Sequence, residues 1–191
     1  MILYFEEIDE VAFYAMKKNA FSSEECKKII EISKNKNLEK ATVFGKVDFK
    51  NLRESDICWL NQDDDSNWLF TKIAQTCLEI NKLYFRFDLN GIAEQLQFTN
   101  YKAPSGKYGK HIDRGGEGMT VRKLSISIQL TDPKEYEGGE LMLYGKDEPA
   151  IMEKEQGTLI VFPSYVLHEV KPVTKGERNS LVCWVTGKPF R

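Results

Sequence analysis

Histidine is scarce in this chain: His111 and His168 are the only two among 191 residues. A closed tetrahedral zinc site needs four histidine or cysteine ligands. Cysteine cannot complete such a set here, because no cysteine lies close in sequence to either histidine. The four cysteines also contain no C-x-x-C pair; they are Cys26, Cys58, Cys77 and Cys183. A structural zinc module is therefore excluded, and any metal site must use carboxylates beside the two imidazoles.

The chain also lacks an excess of basic charge, a long apolar run and a basic N-terminus. Its 27 basic and 29 acidic residues give a net charge of −2, which provides no electrostatic footprint for nucleic acid. No apolar stretch approaches the roughly 20 residues of a membrane span. The first ten residues carry acidic side chains where a signal peptide carries basic ones. We expect a cytoplasmic protein that binds neither nucleic acid nor membrane, with Cys26 and Cys77 as reduced core thiols.

The length and the 41% hydrophobic content predict one folded domain over residues 1–191. Residues 1–89 form a supporting region in which two helices are expected. Ser22 followed by Glu25 is a capping box and predicts the first helix. The second helix is predicted over about 66–83, with an apolar stripe that includes Trp68, Ile73 and Cys77 and packs against a sheet.

Short strands dominate the second half of the chain. Turn residues such as Asp132–Pro133 and Lys175–Gly176 separate the candidate strands. These strands are predicted at 93–102, 107–113, 121–131, 139–145, 150–154, 157–162, 166–173 and 178–187. The pattern predicts a mainly β fold: a double-stranded β-helix, or jelly roll, formed by residues 90–191, with the N-terminal α-helices packed on one sheet. Residues 45–56 are a candidate flexible cover over the site.

The most informative pattern joins both histidines to a carboxylate and an arginine. His111 and Asp113 are two residues apart, so on a strand they point the same way. His168 follows 57 residues after His111, and Arg178 follows ten residues after His168. A lone His-x-Asp is commonly just two polar neighbours. Two imidazoles with one carboxylate, however, are the ligand set of a non-haem Fe(II) site with open positions.

The sequence around these residues resembles the 2-oxoglutarate- and Fe(II)-dependent oxygenases. The likeness is greatest to the prolyl 4-hydroxylase branch, including the bacterial PKHD-type hydroxylases, and is dense from Phe98 to Trp184. The segments DPKEYEGGEL and HEVKPVTKGER are especially similar to the PKHD-type group. The residues that carry the resemblance are Tyr101, Gly106, Tyr108, His111, Asp113, Arg122, the run 137–141, Pro163, His168, Gly176, Arg178 and Trp184.

The resemblance implies a role for most of these residues. His111, Asp113 and His168 correspond to the metal ligands and, with Arg178, form the catalytic set. Arg178 corresponds to the residue that binds the distal carboxylate of 2-oxoglutarate, and Tyr101 to a tyrosine that hydrogen-bonds the same co-substrate. The implied cofactors are Fe(II), 2-oxoglutarate and O₂, with ascorbate in support.

Four further positions concern the substrate and a departure from the family pattern. Tyr108, Arg122 and Trp184 correspond to substrate-side residues of prolyl hydroxylases; for Trp184 the alternative is plain core filling. Many prolyl hydroxylases carry a second co-substrate tyrosine seven residues after the arginine that Arg122 matches. This chain has Gln129 there, so that contact is weakened, replaced or absent. PKHD-type proteins lack the tyrosine too, so its loss does not imply inactivity.

The expected function is therefore hydroxylation of a peptidyl proline in a protein or peptide, with decarboxylation of 2-oxoglutarate to succinate and CO₂. Two alternatives stay open. One keeps the chemistry but acts on a free amino acid, a small metabolite or a lysyl residue. The other is a non-catalytic jelly-roll binding module with a vestigial site. The sequence does not define the oligomeric state.

Overall fold

A computed structural model describes residues 10–41, 52–115, 119–145 and 148–188 of the chain. The strands and helices of this described part are β1 (Ala15–Lys17), α1 (Ser23–Lys34), β2 (Glu39–Lys40), β3 (Arg53–Glu54), β4 (Asp56–Leu60), α2 (Asn67–Ile80), β5 (Leu89–Ile92), β6 (Leu96–Lys102), β7 (Lys107–His111), β8 (Arg122–Gln129), β9 (Tyr136–Gly138), β10 (Leu141–Tyr144), β11 (Ala150–Ile151), β12 (Leu159–Pro163), β13 (Leu167–Val170) and β14 (Val173–Gly187). A π-helical turn, Asn81–Phe85, continues α2, and a short 3₁₀ turn spans Pro133–Glu135.

The strands form two antiparallel sheets. Within the described residues, the large sheet has the order β1-β12-β8-β14-β6-β4-β2, and β5 and β9 pair with opposite ends of the long strand β14. The small sheet has the order β11-β10-β13-β7-β3. Strands that are distant in sequence are neighbours in both sheets, as expected for a jelly roll. The predicted mainly β fold is confirmed.

The helices pack on one face of the large sheet, as predicted. Ile29 of α1 and Ile73 of α2 are fully buried in a core that also contains Phe98, Ile126 and Leu181 from the sheet. The capping box is present: the backbone N–H of Glu25 donates to the Ser22 hydroxyl, and the Ser22 N–H donates to the Glu25 carboxylate. The helix layer therefore supports the sheet from behind.

A second core lies between the two sheets. Leu143, Ile160, Phe162 and Val173 belong to it and are nearly or fully buried. This core fills one part of the space between the sheets. The remaining part holds polar side chains, and the candidate site lies there.

Most strand predictions differ from the structure by a few residues at the ends. The predicted strand 93–102 corresponds to β6 alone, which begins at Leu96; β5 lies before the predicted range. The predicted strand 178–187 begins earlier, at Val173. Strand β9 was not predicted, because three residues beside two glycines carry no alternating pattern. Of the proposed cover at 45–56, residues 45–51 lie outside the described residues, and the remainder contains β3 and the first residue of β4.

Among the described helices, none has the length and apolar character that crossing a lipid bilayer requires.

Candidate active site

The candidate site is built by the alternation of side chains along two central strands of the large sheet. In β8, Leu124, Ile126 and Ile128 enter the helix-side core, so Ser125 and Ser127 face the opposite side. In β14, Arg178, Ser180, Val182 and Trp184 alternate in the same way with core residues. The polar face lines a cavity of about 250 Å³ between the sheets. The polar groups on this wall of the cavity come from the alternation of serine with leucine and isoleucine along β8.

The two histidines and the aspartate come together at this cavity. Nε2 of His111 lies 3.6 Å from Oδ1 of Asp113, and Nε2 of His168 lies 3.5 Å from Oδ2 of the same carboxylate. The three ligand atoms are within 4.8 Å of one another, close enough to hold one metal ion. His168 lies on β13, directly opposite His111 of the neighbouring strand β7, because the two strands pair antiparallel.

Neighbouring groups orient each of these side chains. Nδ1 of His111 is 2.8 Å from the carbonyl oxygen of Gly109, and Nδ1 of His168 is 2.9 Å from that of Val166. A carbonyl only accepts, so each Nδ1 carries the proton and each Nε2 keeps a lone pair for a metal. The Ser125 hydroxyl donates to Oδ2 of Asp113 at 2.7 Å. The donor set therefore fits a divalent metal ion.

Burial and mutual charge keep these groups in the states that bind a metal. Burial lowers the pKa of His111 to about 4, with the neighbouring His168 acting in the same direction and Asp113 opposing it. Burial also acts to raise the pKa of Asp113, but the His168 and His111 rings and the Ser125 hydroxyl outweigh it and hold the pKa below its ordinary value. At neutral pH, His111 is uncharged and Asp113 is ionised.

Arg178 lies in the same cavity and is only 1% exposed. Its Nη2 donates to the side-chain oxygen of Gln129 at 2.9 Å, and its Nη1 donates to Ser180 Oγ at 3.4 Å. Its Nε has no hydrogen-bond partner within the described chain. A buried guanidinium with free donors is suited to a carboxylate. Gly139 makes room for it, because a Cβ at that position would lie 2.9 Å from Cδ of Arg178.

The other sequence-predicted residues also reach the cavity. Tyr101 lies beside Arg178, with the guanidinium carbon 5.3 Å from its ring centroid. Tyr108 stacks on His111 with ring centroids 3.5 Å apart. Arg122 lies over Trp184 at 3.8 Å, and both residues line the cavity.

Several cavity residues escaped the sequence analysis. Ser125 could have been found from the alternation of polar and apolar residues in β8. Glu94 forms a bidentate ion pair with Arg122. Arg53, Trp59 and Gln97 also line the cavity. No local pattern marks Arg53, Trp59 and Gln97, because they reach the cavity only through the pairing of distant strands, and none marks Glu94, whose partner is distant in sequence.

Sequence comparison finds proteins that are similar to this chain. Residues 96–186 match the family model of the 2OG-Fe(II) oxygenase superfamily. A PKHD-type hydroxylase of Gloeothece citriformis is 35% identical over 130 residues, which cover 65% of this chain and 59% of that protein. A PKHD-type hydroxylase of Synechococcus elongatus is 34% identical over 118 residues, covering 60% of this chain and 52% of that protein. The matches thus span little more than half the length of these relatives.

Solved structures share the fold over nearly the whole chain. A prolyl-4-hydroxylase of Pseudomonas putida has a TM-score of 0.74 at 22% identity and covers 93% of this chain and 94% of its own. A prolyl hydroxylase of Trichoplax adhaerens has a TM-score of 0.77 at 17% identity, with 92% and 84% covered. At these identities the likeness establishes the fold alone.

Residues 96–186, which match the 2OG-Fe(II) oxygenase superfamily model, contain the triad and Arg178, and the chain shares the fold of prolyl hydroxylases of known structure. The comparisons confirm the resemblance to prolyl hydroxylase-like members of that superfamily, with similar proteins among the PKHD-type hydroxylases. The superfamily is named for Fe(II) and 2-oxoglutarate, and the His-Asp-His triad could hold a metal ion.

Proposed function

We propose that this chain is a 2-oxoglutarate- and Fe(II)-dependent dioxygenase that hydroxylates peptidyl proline. The observation that carries the proposal is the arrangement of one cavity: the triad of His111, Asp113 and His168 and the buried guanidinium of Arg178 line the same space. A cavity with a metal site and an arginine in its walls would suit an acid that has a chelating end and a distal carboxylate. Three ligands on one face leave open positions on the metal for that acid and for O₂.

His111, Asp113 and His168 would hold Fe(II), which would supply the O₂ chemistry of the proposed reaction with 2-oxoglutarate as co-substrate: one oxygen atom would enter succinate as CO₂ is released, and the other would enter the substrate C–H bond. The chain's own residues position the reactants. The Nδ1–carbonyl contacts fix both imidazoles, and Ser125 fixes the Asp113 carboxylate. Such supporting contacts hold metal ligands in their productive orientation.

Arg178 and Tyr101 are the proposed co-substrate residues. The unpartnered Nε of Arg178 and its remaining N–H groups provide a fork for the distal carboxylate. Gln129 accepts a hydrogen bond from Nη2 of Arg178. At the position where many prolyl hydroxylases have a tyrosine that contacts the co-substrate, this chain therefore has a residue that contacts the arginine. Burial of this region excludes water and strengthens the charge-assisted contacts.

Tyr108, Arg122 and Trp184 are the proposed substrate residues. The aromatic rings offer flat apolar surfaces to an aliphatic ring. Arg122 is held by Glu94 and by the carbonyl of Asp113, so it is fixed beside the metal ligands. The prolyl hydroxylase of Trichoplax adhaerens was solved with a hypoxia inducible factor peptide fragment, which supports a peptide as substrate here.

The test is product formation by the purified protein with Fe(II), 2-oxoglutarate, O₂ and ascorbate. Succinate should form, and proline-containing peptides should gain 16 Da. The His168→Ala protein is the matched control and should form neither product. A product with free amino acids or lysyl peptides alone would replace the proline assignment. Absence of succinate under every condition, with metal bound, would favour the binding-module alternative. Omitting ascorbate tests its supporting role.

A further inference from the structure

Arg53 is a cation at the cavity that the proposed reaction does not use. Strand β3 pairs with β7, so that Arg53 lies opposite Tyr108. Its guanidinium carbon is 4.4 Å from the centroid of the Tyr108 ring, and that ring stacks on the imidazole of His111. Arg53 therefore lies one aromatic ring away from a candidate metal ligand.

The hydrogen-bond partners of Arg53 are neutral. Its Nε donates to Ser55 Oγ at 3.1 Å, and its Nη2 donates to Gln97 Oε1 at 2.9 Å. No carboxylate in the described ranges lies within salt-bridge distance of it. These contacts fix the guanidinium and still leave donors of its planar fork unused.

Arg122 provides a direct contrast within the same cavity. It is paired with Glu94 through two parallel hydrogen bonds, so its charge is neutralised. Arg178 is assigned to the distal carboxylate of the co-substrate. A partly buried cation that has no counter-charge among the described residues is costly unless a ligand supplies one. The charges of a divalent metal, the Asp113 carboxylate, dianionic 2-oxoglutarate and Arg178 sum to zero, so that among these groups of the described residues the charge of Arg53 is left over.

We infer that Arg53 is a binding site for a carboxylate of the substrate, close to the reacting C–H bond. The inference rests on the proposed function and narrows its substrate class to molecules with an anionic group near the target carbon. Two sources share this chemistry. One is an acidic side chain next to the target residue of a peptide. The other is the α-carboxylate of a free amino acid.

Binding measurements separate these sources. The full chain is loaded with Mn(II) and a non-reacting isostere of 2-oxoglutarate, and probes are titrated by calorimetry. The first comparison uses peptides with an acetylated N-terminus, an amidated C-terminus and a central proline. Peptides with Glu next to the proline, before or after it, are compared with the same peptides carrying Gln at that position. The second comparison uses L-proline and L-prolinamide. In at least one of the two comparisons, the acid should bind roughly 10- to 100-fold more tightly than the corresponding amide, as expected for a charge-assisted hydrogen bond.

Three variants test whether Arg53 causes the preference. Arg53→Gln should abolish the difference between acid and amide without weakening binding of the amide. Arg53→Lys should retain part of it, because it keeps the charge and loses the fork. Lys107→Gln is the matched control: it removes one positive charge from the adjacent strand, at the position before Tyr108 and therefore on the opposite face of the sheet. It should leave the preference intact.

Equal affinity for acid and amide in both pairs, a preference that survives Arg53→Gln, or no binding of any acid would overturn the inference. These failures differ from failure of the proposed function. If an acid probe binds through Arg53 but never gains 16 Da, the result would support the carboxylate site and refute proline hydroxylation. If acidic and neutral peptides are hydroxylated equally well, the result would support the proposed reaction and refute the carboxylate site at Arg53.

Discussion

The side-chain oxygen of Gln129 accepts a hydrogen bond of 2.9 Å from Nη2 of Arg178. The amide nitrogen of Gln129 donates to the carbonyl of Glu153 at 3.0 Å, which fixes the oxygen toward the arginine. A glutamine at this position therefore orients the guanidinium without neutralising it. An acidic residue at the same position would do both, and this difference leads to the first prediction.

Gln129→Glu should place a carboxylate against Arg178 and compete internally with the distal carboxylate of 2-oxoglutarate. We expect the Kd for 2-oxoglutarate to rise by roughly 10-fold or more. Gln129→Met, of similar length but uncharged, should raise it less. Calorimetric titration of the Mn(II)-loaded protein measures both, with Mn(II) affinity as the control. Equal Kd values for parent and Gln129→Glu would contradict the proposed path of the co-substrate.

Arg178→Ala should remove most of the 2-oxoglutarate affinity. Loss of one partner from a buried charge pair costs on the order of 3–5 kcal/mol, which is a factor of more than 100 in Kd. Arg178→Lys should recover part of the loss, since an ammonium lacks the planar fork. The same titration measures this effect. If both variants bind 2-oxoglutarate as the parent does, the carboxylate is held by another group.

Ser125→Ala should weaken the metal site without removing a ligand. The Ser125 hydroxyl donates to Oδ2 of Asp113 at 2.7 Å, and loss of such a supporting contact lowers metal affinity by about 10- to 100-fold. Ser127→Ala is the control, because Ser127 lines the same cavity two residues along the same strand. Competition with a metal-sensitive dye gives the affinities. An unchanged affinity in Ser125→Ala would show that Asp113 is oriented by other contacts.

Trp184→Ala should separate substrate binding from co-substrate turnover. Trp184 is 6% exposed and lies against Arg122, on the proposed substrate side. We expect peptide hydroxylation to fall by more than succinate formation in the absence of peptide. Trp184→Phe, which keeps an aromatic surface, should retain more hydroxylation, and thermal melting of both variants controls for folding. Equal losses in the two assays would make Trp184 a packing residue.

The metal-free protein should lose stability in mildly acidic solution because of His111. The pKa of this imidazole is lowered from 6.5 to about 4 in the folded chain. Between these values the unfolded chain binds more protons, so the free energy of unfolding falls as the pH falls. At about 1.4 kcal/mol per pH unit, the His111 contribution is on the order of 3 kcal/mol. Chemical denaturation from pH 7 to pH 4.5 measures it. An identical pH dependence in His111→Gln would assign the loss to other groups.

The local sequence determined much of the fold. The capping box at Ser22 and Glu25 defined the start of α1, because both of its hydrogen bonds form within four residues. The alternation of apolar and polar residues, together with the turn residues between the strands, predicted most strands, because both signals depend only on residues that are close in the chain. The spacing of His111, Asp113, His168 and Arg178 also predicted the candidate residues, and the structure brings these four to one cavity.

Tertiary structure decided what distant strands bring together. The pairing of β13 with β7 placed His168 beside His111 on the same sheet, and the pairing of β3 with β7 placed Arg53 over Tyr108. The contact between Gln129 and Arg178 joins residues 49 apart in sequence. No local pattern encodes these relationships, because strand order and register are set by the burial of whole faces of the two sheets.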